Sequence, residues 1–257
     1  MHNQRAKEGL HVRLQNKIAL ITGAAHGIGL STAIRFAEEG SVVILTDLDR
    51  TAGEKAQAEV REISPRSTFV CMDVANRESV QCRVNEIHER FGRIDILINN
   101  AGVIADAQFM KMSEQDWDRV IDVNLKGVFN CTQAVAPFMT AQGYGKIVNA
   151  SSISGVYGNF GQTNYAAAKA GVIAMTKVWA RELGPKGVLV NALAPGFIES
   201  EMIAAVPTKI RESVVTKTPL GRVGRPEEVA NAYLFLASDE SSFINGAVLH
   251  VDGGLVL

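Results

Sequence analysis

The sequence predicts an α/β protein built on one doubly wound sheet of seven mostly parallel strands, with helices on both faces. Three observations predict it. Short apolar runs alternate with longer helical patterns along most of the 257 residues. The runs are apolar throughout rather than at every second position, as a strand covered on both faces requires. The first run also ends in a glycine-rich turn that leads into a helix, the arrangement of a sheet whose ligands sit beyond the carboxyl ends of its strands.

Taken in order, residues 17–22 read as the first buried strand. Residues 28–39 have helical periodicity and stop at Gly40, a common residue just past a helix C-terminus. Residues 41–46 form a second strand that ends at Asp47, and 50–63 a polar-faced helix closed by Ser64-Pro65. A strand at 68–72, a helix at 77–90 and a strand at 94–98 follow, then one helical region from 113 to about 140. The fifth strand is 146–150, the next helix 164–183 and the sixth strand 188–193. Pro226-Glu227-Glu228 opens a helix over 226–237, proline suiting the first turn and the acids the positive end of the dipole. Residues 247–251 are the seventh strand. The least regular stretch is 197–225, where Pro219, Gly221 and Gly224 follow a weakly helical piece; a long connection there is a candidate substrate lid.

No internal repeat, low-complexity tract or linker divides the chain, so one domain is expected over 14–257. Residues 1–13 are polar and mixed in charge, without the apolar core of a secretory signal, and are expected to be a short loose extension. His2 and His11 fall there and are expected to be solvent-exposed. A formal net charge of -1 gives no reason to expect a nucleic-acid or membrane-surface partner. No apolar run approaches the ~18 residues of a membrane span. Cys71, Cys82 and Cys131 are scattered and form no C-x-x-C pair, which suits a reducing cytoplasm and argues against a structural metal or disulfide framework.

The glycine-rich turn is Thr22-Gly23-Ala24-Ala25-His26-Gly27-Ile28-Gly29, with the spacing G-x-x-x-G-x-G. Glycines there permit a tight turn and let a pyrophosphate approach backbone N–H groups at the helix start. Asp47 closes the second strand about twenty residues on. A carboxylate there can accept hydrogen bonds from both adenosine ribose hydroxyls; the alternative is an aspartate that caps the helix starting near Arg50. Asp73-Val74 closes the third strand, where the adenine is expected, and Asn99-Asn100-Ala101-Gly102 closes the fourth with small residues that let a cofactor lie against the backbone.

Tyr165 and Lys169 are four apart on one predicted helix and share a face. A free phenol titrates near ~10, and a nearby cation favours the phenolate, pulling that value towards neutrality as a general acid/base needs. The alternative is a surface Tyr/Lys pair. Ser151 and Ser152 lie just past the fifth strand, and either hydroxyl could reach the site. Asn124 falls inside a predicted helix, where asparagine is mildly unfavourable and calls for a reason.

In combination these residues resemble the short-chain dehydrogenase/reductase family, a Rossmann-type fold. The matching pieces are Thr22 to Gly29, Asp73, Asn99 to Gly102, Asn124, Ser152, Tyr165, Lys169 and Pro195-Gly196, in family order from about residue 16 onward. The resemblance implies a catalytic tetrad of Asn124, Ser152, Tyr165 and Lys169, and implies that Ile198 and Ser200 meet the nicotinamide carboxamide. It implies hydride transfer between nicotinamide and a ketone or secondary alcohol, with Lys169 also holding the nicotinamide ribose and Asn124 anchoring a water. Within the family, residues 164–171, 195–199 and 235–240 are most similar to the 3-oxoacyl-carrier-protein reductases, and Arg181 stands where those place a basic residue facing the carrier protein.

Two departures bear on that likeness. Gly143 replaces the second carrier-facing arginine, and Asp47 together with His26 resembles the NAD(H)-using branch, making NADP the less expected cofactor. The expected substrate is a small carbonyl, alcohol or acyl thioester, with an acyl carrier protein as a possible partner. Other secondary alcohols, sugars or 3-hydroxyacyl-CoA are the alternative. Apolar Val156, Tyr157 and Phe160 after Ser152 point to an uncharged, partly hydrophobic substrate. A silent nucleotide-binding regulator is a further alternative, against which the intact Ser/Tyr/Lys set argues. So is a lyase, isomerase or epimerase that uses bound NAD transiently. The resemblance also implies a homotetramer, paired through the Tyr165 helix and through the last helix and strand. An apolar strip of Val172, Met175, Val178 and Trp179 and the apolar stretch 248–257 are consistent with that pairing.

Overall fold

The computed structural model describes residues 12–199 and 208–255. Seven strands, β1 (Ile18–Thr22), β2 (Val42–Asp47), β3 (Thr68–Cys71), β4 (Ile96–Asn99), β5 (Gly145–Ala150), β6 (Val188–Pro195) and β7 (Val248–Val251), form one sheet in the order β3-β2-β1-β4-β5-β6-β7. All six pairings are parallel, so the sheet is wholly rather than mostly parallel. The order reverses between β1 and β4, and that switch opens the crevice where a doubly wound sheet takes its ligand.

The two faces of each central strand feed two separate cores. Ala19, Ile21, Val43, Leu45, Ile96 and Ile98 pack with Phe36 of α1 (Gly27–Glu38), Val60 of α2 (Arg50–Ile63) and Val229 and Tyr233 of α9 (Pro226–Ala237). Leu20, Ile44, Leu97 and Ile147 pack on the other face with Val84 and Ile87 of α3 (Arg77–Phe91) and with Val135 and Met139 of α5 (Gly127–Gln142). Burial on both faces is why these strands carry no polar alternation.

Capping fixes where the helices begin. Asp49 accepts the N–H of Ala52 to cap α2, Asn76 accepts that of Ser79 to cap α3, and Ser113 accepts that of Asp116 to cap α4 (Glu114–Ile121). Glu228 accepts the Arg225 N–H at 2.8 Å at the start of α9. Because Asp49 caps α2, Asp47 is free of that duty.

The helical region expected over 113–140 runs unbroken over Glu114–Gln142, as α4 and α5 joined by a π-turn at Asp122–Lys126. Three other expectations change. A short helix, α6 (Ile153–Tyr157), follows β5, and α7 (Thr163–Leu183) comes after it. The apolar strip on α7 is not continuous: Val172 is buried and Trp179 packs on a core, while Val178 is 51% exposed. In the lid region, α8 (Thr208–Lys217) is a full helix. The loose extension foreseen at 1–13, with His2 and His11, lies outside the described residues except for Val12 and Arg13. Arg13 is fixed to Glu39, its Nη2 donating at 2.9 Å.

Candidate active site

The glycine turn joins β1 to α1 in a conformation that other residues would not reproduce. Gly23 has φ +62°, and a Cβ there would lie 2.7 Å from the Ala101 Cα. A Cβ on Gly29 would lie 2.0 Å from the Gly23 carbonyl oxygen. Gly27, with φ +52°, has nothing within 4 Å of the place a Cβ would take, so its face is open. No acidic residue occupies the first turn of α1, and the exposed His26 leads into it with extended backbone. An open turn with unopposed N–H groups at a helix start fits a pyrophosphate. The opposite wall is clamped on: the Thr22 hydroxyl oxygen accepts the N–H groups of Asn100 and Ala101 at 3.0 Å each, and the Asn100 side-chain amide donates to the carbonyls of Thr22 and Gly23.

Asp47 stands half-buried at the end of β2. Its carboxylate accepts the Ala25 N–H at 3.2 Å, across the turn, and the Asp49 N–H at 3.1 Å. Asp73 accepts the Ala75 N–H at 2.9 Å. The Val74 side chain belongs to the core: a Cβ on Gly127 would meet it at 2.8 Å, and its carbonyl accepts from the Asn130 amide. Asp73 therefore carries the polar chemistry at that strand end.

Helix α7 brings Tyr165 and Lys169 together, with the Lys169 Nζ 5.5 Å from the Tyr165 ring centroid. The ammonium donates to the Ala150 carbonyl at 2.8 Å, and Lys169 is only 2% exposed. The serine ambiguity resolves by partner. Ser151 donates to the Lys169 carbonyl at 2.9 Å, a structural bond inside the molecule. Ser152 caps α6 by accepting the Ser154 N–H at 3.1 Å, and its hydroxyl is the neighbouring group that favours the Tyr165 phenolate.

The electrostatics differ from the simple Tyr/Lys expectation. Burial pushes the Tyr165 phenol up to about 12, against the lowering effect of the nearby Ser152 hydroxyl and with some help from Asp106. Burial pulls Lys169 down to about 8. The expected drop of the tyrosine towards neutrality is absent because desolvation of the phenol outweighs its neighbours. With its phenol raised, Tyr165 keeps its proton at neutral pH.

Asn124 is fully buried inside the π-turn, which supplies the reason for an asparagine in a helical run. Its amide donates to the carbonyls of Val103 at 2.8 Å and Val120 at 2.9 Å, while its Oδ1 accepts the Val103 N–H at 3.2 Å. Both amide hydrogens are committed, which leaves one Oδ1 lone pair. That oxygen and the Lys169 Nζ flank Gly102, at 2.6 and 3.6 Å from the position of a Cβ there.

Beyond β6, the Pro195-Gly196 turn leads into a backbone-fixed strap. Gly196 donates to the Val251 carbonyl at 3.0 Å, buried Ile198 bridges Gly224, and Glu199 donates to the Gly224 carbonyl at 2.8 Å. Ser200 lies outside the described residues. Val156, Tyr157 and Phe160 are exposed apolar residues just after Ser152.

Sequence reasoning missed the residues that join the site's walls. Gln162 accepts from Ser154 and donates to Asp106, and the Asn164 amide donates to the carbonyls of Ala105 and Asp116. The only sequence signal was two amides immediately before Tyr165. Among the described residues, the buried side-chain polar atoms without a hydrogen-bond partner are the Asn99 Oδ1 and the Tyr233 hydroxyl. Also among the described residues, no group of three or more His, Cys, Asp or Glu could hold a metal, and no helix is long and apolar enough to cross a membrane.

The sequence matches the family described as enoyl-(acyl carrier protein) reductase over residues 23–256. It is 51% identical over 246 residues to a 3-oxoacyl-[acyl-carrier-protein] reductase FabG of Thermotoga maritima, covering 96% of this chain and 100% of that one. It is 46% identical to a reductase of the same name from Staphylococcus aureus, covering 94% and 98% of the two chains. Among solved structures, one described as levodione reductase superposes with a TM-score of 0.90 at 36% identity, over 94% of this chain and 98% of that chain. Another, described as gox2181, gives 0.92 at 39% identity, over 95% and 97%.

Proposed function

The chain belongs to the short-chain dehydrogenase/reductase family, and we propose that it reduces the ketone of a 3-oxoacyl thioester with NAD(H) as the preferred cofactor. The observation that carries this reading is the meeting of Tyr165, the Ser152 hydroxyl that acts on its phenol and the buried Lys169, 5.5 Å from the Tyr165 ring centroid, at the strand ends beside an open glycine turn. The names of the two reductase relatives supply the substrate class.

In this reading Gly23, His26, Gly27, Ile28 and Gly29 hold the pyrophosphate, Asp47 the adenosine ribose, and Asp73 with the Val74 backbone the adenine. Asn100, Ala101 and Gly102 lie along the cofactor, and Pro195, Gly196, Ile198 and Ser200 receive the nicotinamide end. The bound cofactor supplies the hydride, and the protein supplies position and charge. Tyr165 gives its proton to the carbonyl oxygen, or takes it back in the alcohol direction. Ser152 hydrogen-bonds the same oxygen as negative charge develops there. Lys169 holds the nicotinamide ribose and places a positive charge beneath the phenol. The remaining Asn124 Oδ1 lone pair faces the space over Gly102 that Lys169 also borders, the place for a water leading from the lysine towards solvent.

Gly143 favours a second reading of the partner. It ends α5 with φ +67°, at the position where the family resemblance implies a second basic residue facing a carrier protein. A thioester or other ketone free of carrier protein suits a surface with Arg181 alone. We also infer one catalytic unit over 14–257 that works as a cytoplasmic homotetramer. The test is a substrate panel of acetoacetyl and enoyl thioesters, simple ketones, secondary alcohols and sugars, with NAD(H) and NADP(H). Turnover of the 3-oxo thioester above all other compounds is expected. No turnover of any carbonyl, or turnover of the enoyl thioester alone, would overturn the reading.

A further inference from the structure

Ser152 is the N-cap of α6, a five-residue helix far too short to be stable alone. Two contacts seat that helix on α7. At Gly155 the packing is close: a Cβ there would lie 2.7 Å from the Lys169 carbonyl carbon. At Ser154 the contact is polar, its hydroxyl donating to the Gln162 Oε1 at 2.9 Å.

Gln162 is the hub of that polar contact. Its Oε1 also accepts from the Asn159 amide at 3.1 Å, and its Nε2 donates to the Asp106 Oδ2 at 2.9 Å. Its backbone carbonyl accepts the Ala166 N–H at 2.7 Å in the first turn of α7. The Ala107 N–H donates to the adjacent Gly161 carbonyl at 2.9 Å, a second tie to the same loop. One residue thus joins α6, the start of the Tyr165 helix and the loop that follows β4.

Two bonds lead from Gln162 to the Ser152 hydroxyl. Ser154 gives its own hydroxyl proton to Gln162 and its N–H to the Ser152 Oγ at 3.1 Å. A serine hydroxyl has one proton to give and two lone pairs. With the Ser154 N–H on one lone pair, fewer directions are open to the Ser152 proton. Gln162 is also the N-cap of α7, three residues before Tyr165, the spacing of neighbours on one helix face. The same side chain therefore ties the serine and the tyrosine to one frame.

We propose that Gln162 is a positioning residue that acts through Ser152: by holding Ser154, it keeps the Ser152 hydroxyl aimed at the substrate oxygen beside Tyr165. The proposal rests on the reading of Ser152 and Tyr165 as the groups that meet the carbonyl. A donor that stabilises developing charge works because it is aligned beforehand. A donor held loosely lowers the rate more than it weakens binding of the ground state.

The test is a double-substitution cycle on kcat, with Gln162→Met and Ser152→Ala, on the best substrate of the panel. Methionine keeps the length of glutamine and removes its amide. In the wild-type background Gln162→Met is expected to lower kcat about 10-fold, a part of what losing such a donor outright costs, with NADH affinity unchanged. In the Ser152→Ala background it is expected to lower kcat less than about 2-fold, because the group through which it acts is gone. Ser154→Ala cuts the same link from the other side without touching the Asp106 bond, and should lower kcat by a similar factor. A residue that only held the fold together would lower kcat equally in both backgrounds, and that result would overturn the proposal. So would a wild-type kcat in Gln162→Met or in Ser154→Ala. Ser152→Ala at the wild-type rate would instead overturn the reading of the site, and this role with it.

Discussion

The Lys169 ammonium donates to the Ala150 carbonyl at 2.8 Å, so the helix that carries Tyr165 is pinned to the end of β5 through a buried charge. That bond accompanies a placement of the cation 5.5 Å from the Tyr165 ring centroid. Lys169→Ala is expected to lower both turnover and NADH affinity, since one ammonium serves both. Steady-state kinetics paired with calorimetry check this; loss of turnover with unchanged NADH affinity would remove the lysine from the ribose.

The same burial makes Lys169 a stability probe. Burial holds its folded pKa at about 8, below the 10.5 of a solvated lysine in the unfolded chain. Between those values the unfolded chain keeps the proton that the folded one has released, so the lysine's contribution to stability rises with pH across that window. Lys169→Met removes the cost of burying the charge. It should melt higher than wild type below pH 8, and the gap should narrow as pH rises towards 10.5. A gap that stays constant over that range would mean that Lys169 is not titrating in a desolvated site.

Much of this was legible in the sequence, for physical reasons. Continuous apolar runs mark doubly covered strands, and the glycines at 23, 27 and 29 are required by backbone geometry, so both could be read without coordinates. Asn124 announced itself as a misfit in a helix, but the π-turn that explains it depends on bonds to Val103 and Val120, one of them from a distant segment. Helix α6 was invisible because it is five residues long, contains Gly155 and takes its cap from a serine that was read for chemistry. The direction of the Tyr165 shift was misread because spacing reports which charges are near and not how much water is excluded.

Asp47 should set cofactor choice. Its carboxylate crosses to the Ala25 N–H beside the site assigned to the ribose, and Asp49 takes the capping role. A 2′-phosphate within ~4 Å would be repelled by about 4 kcal/mol per pair of unit charges at an effective dielectric near ~20. A third of that is roughly tenfold. Arg50, three residues after Asp47 in the chain, lies 3.9 Å from Glu54 in an exposed pair. We expect NADH to exceed NADPH by at least about tenfold in kcat/KM, and Asp47→Ala to narrow the gap. Equal use of both cofactors by wild type would show that the carboxylate does not govern the ribose.

Asn124→Ala should loosen the π-turn. It leaves the Val103 N–H and two carbonyls without their partners, at a cost of about 1–3 kcal/mol. For a chain of this size that is a fall in Tm of roughly 2–12 °C. Thermal melts with and without NADH check it, and an unchanged Tm would mean that the turn holds itself.

A homotetramer at micromolar concentration is expected by light scattering. Val178, exposed on α7, gives the sharper test: Val178→Asp should shift the mass towards a smaller species. A monomeric wild type would discard both the assembly and the role of that helix in it.

The central claim is that the Tyr165 phenol delivers the proton as hydride reaches the carbonyl carbon. Tyr165→Phe removes that proton and leaves the glycine turn, Asp47 and Lys169 in place. The decisive measurement is NADH oxidation by wild type and Tyr165→Phe on the best substrate of the panel, with NADH affinity measured on the same samples. The account predicts turnover reduced at least ~100-fold with NADH affinity within a few-fold of wild type. A Tyr165→Phe enzyme that turns over at the wild-type rate would contradict it.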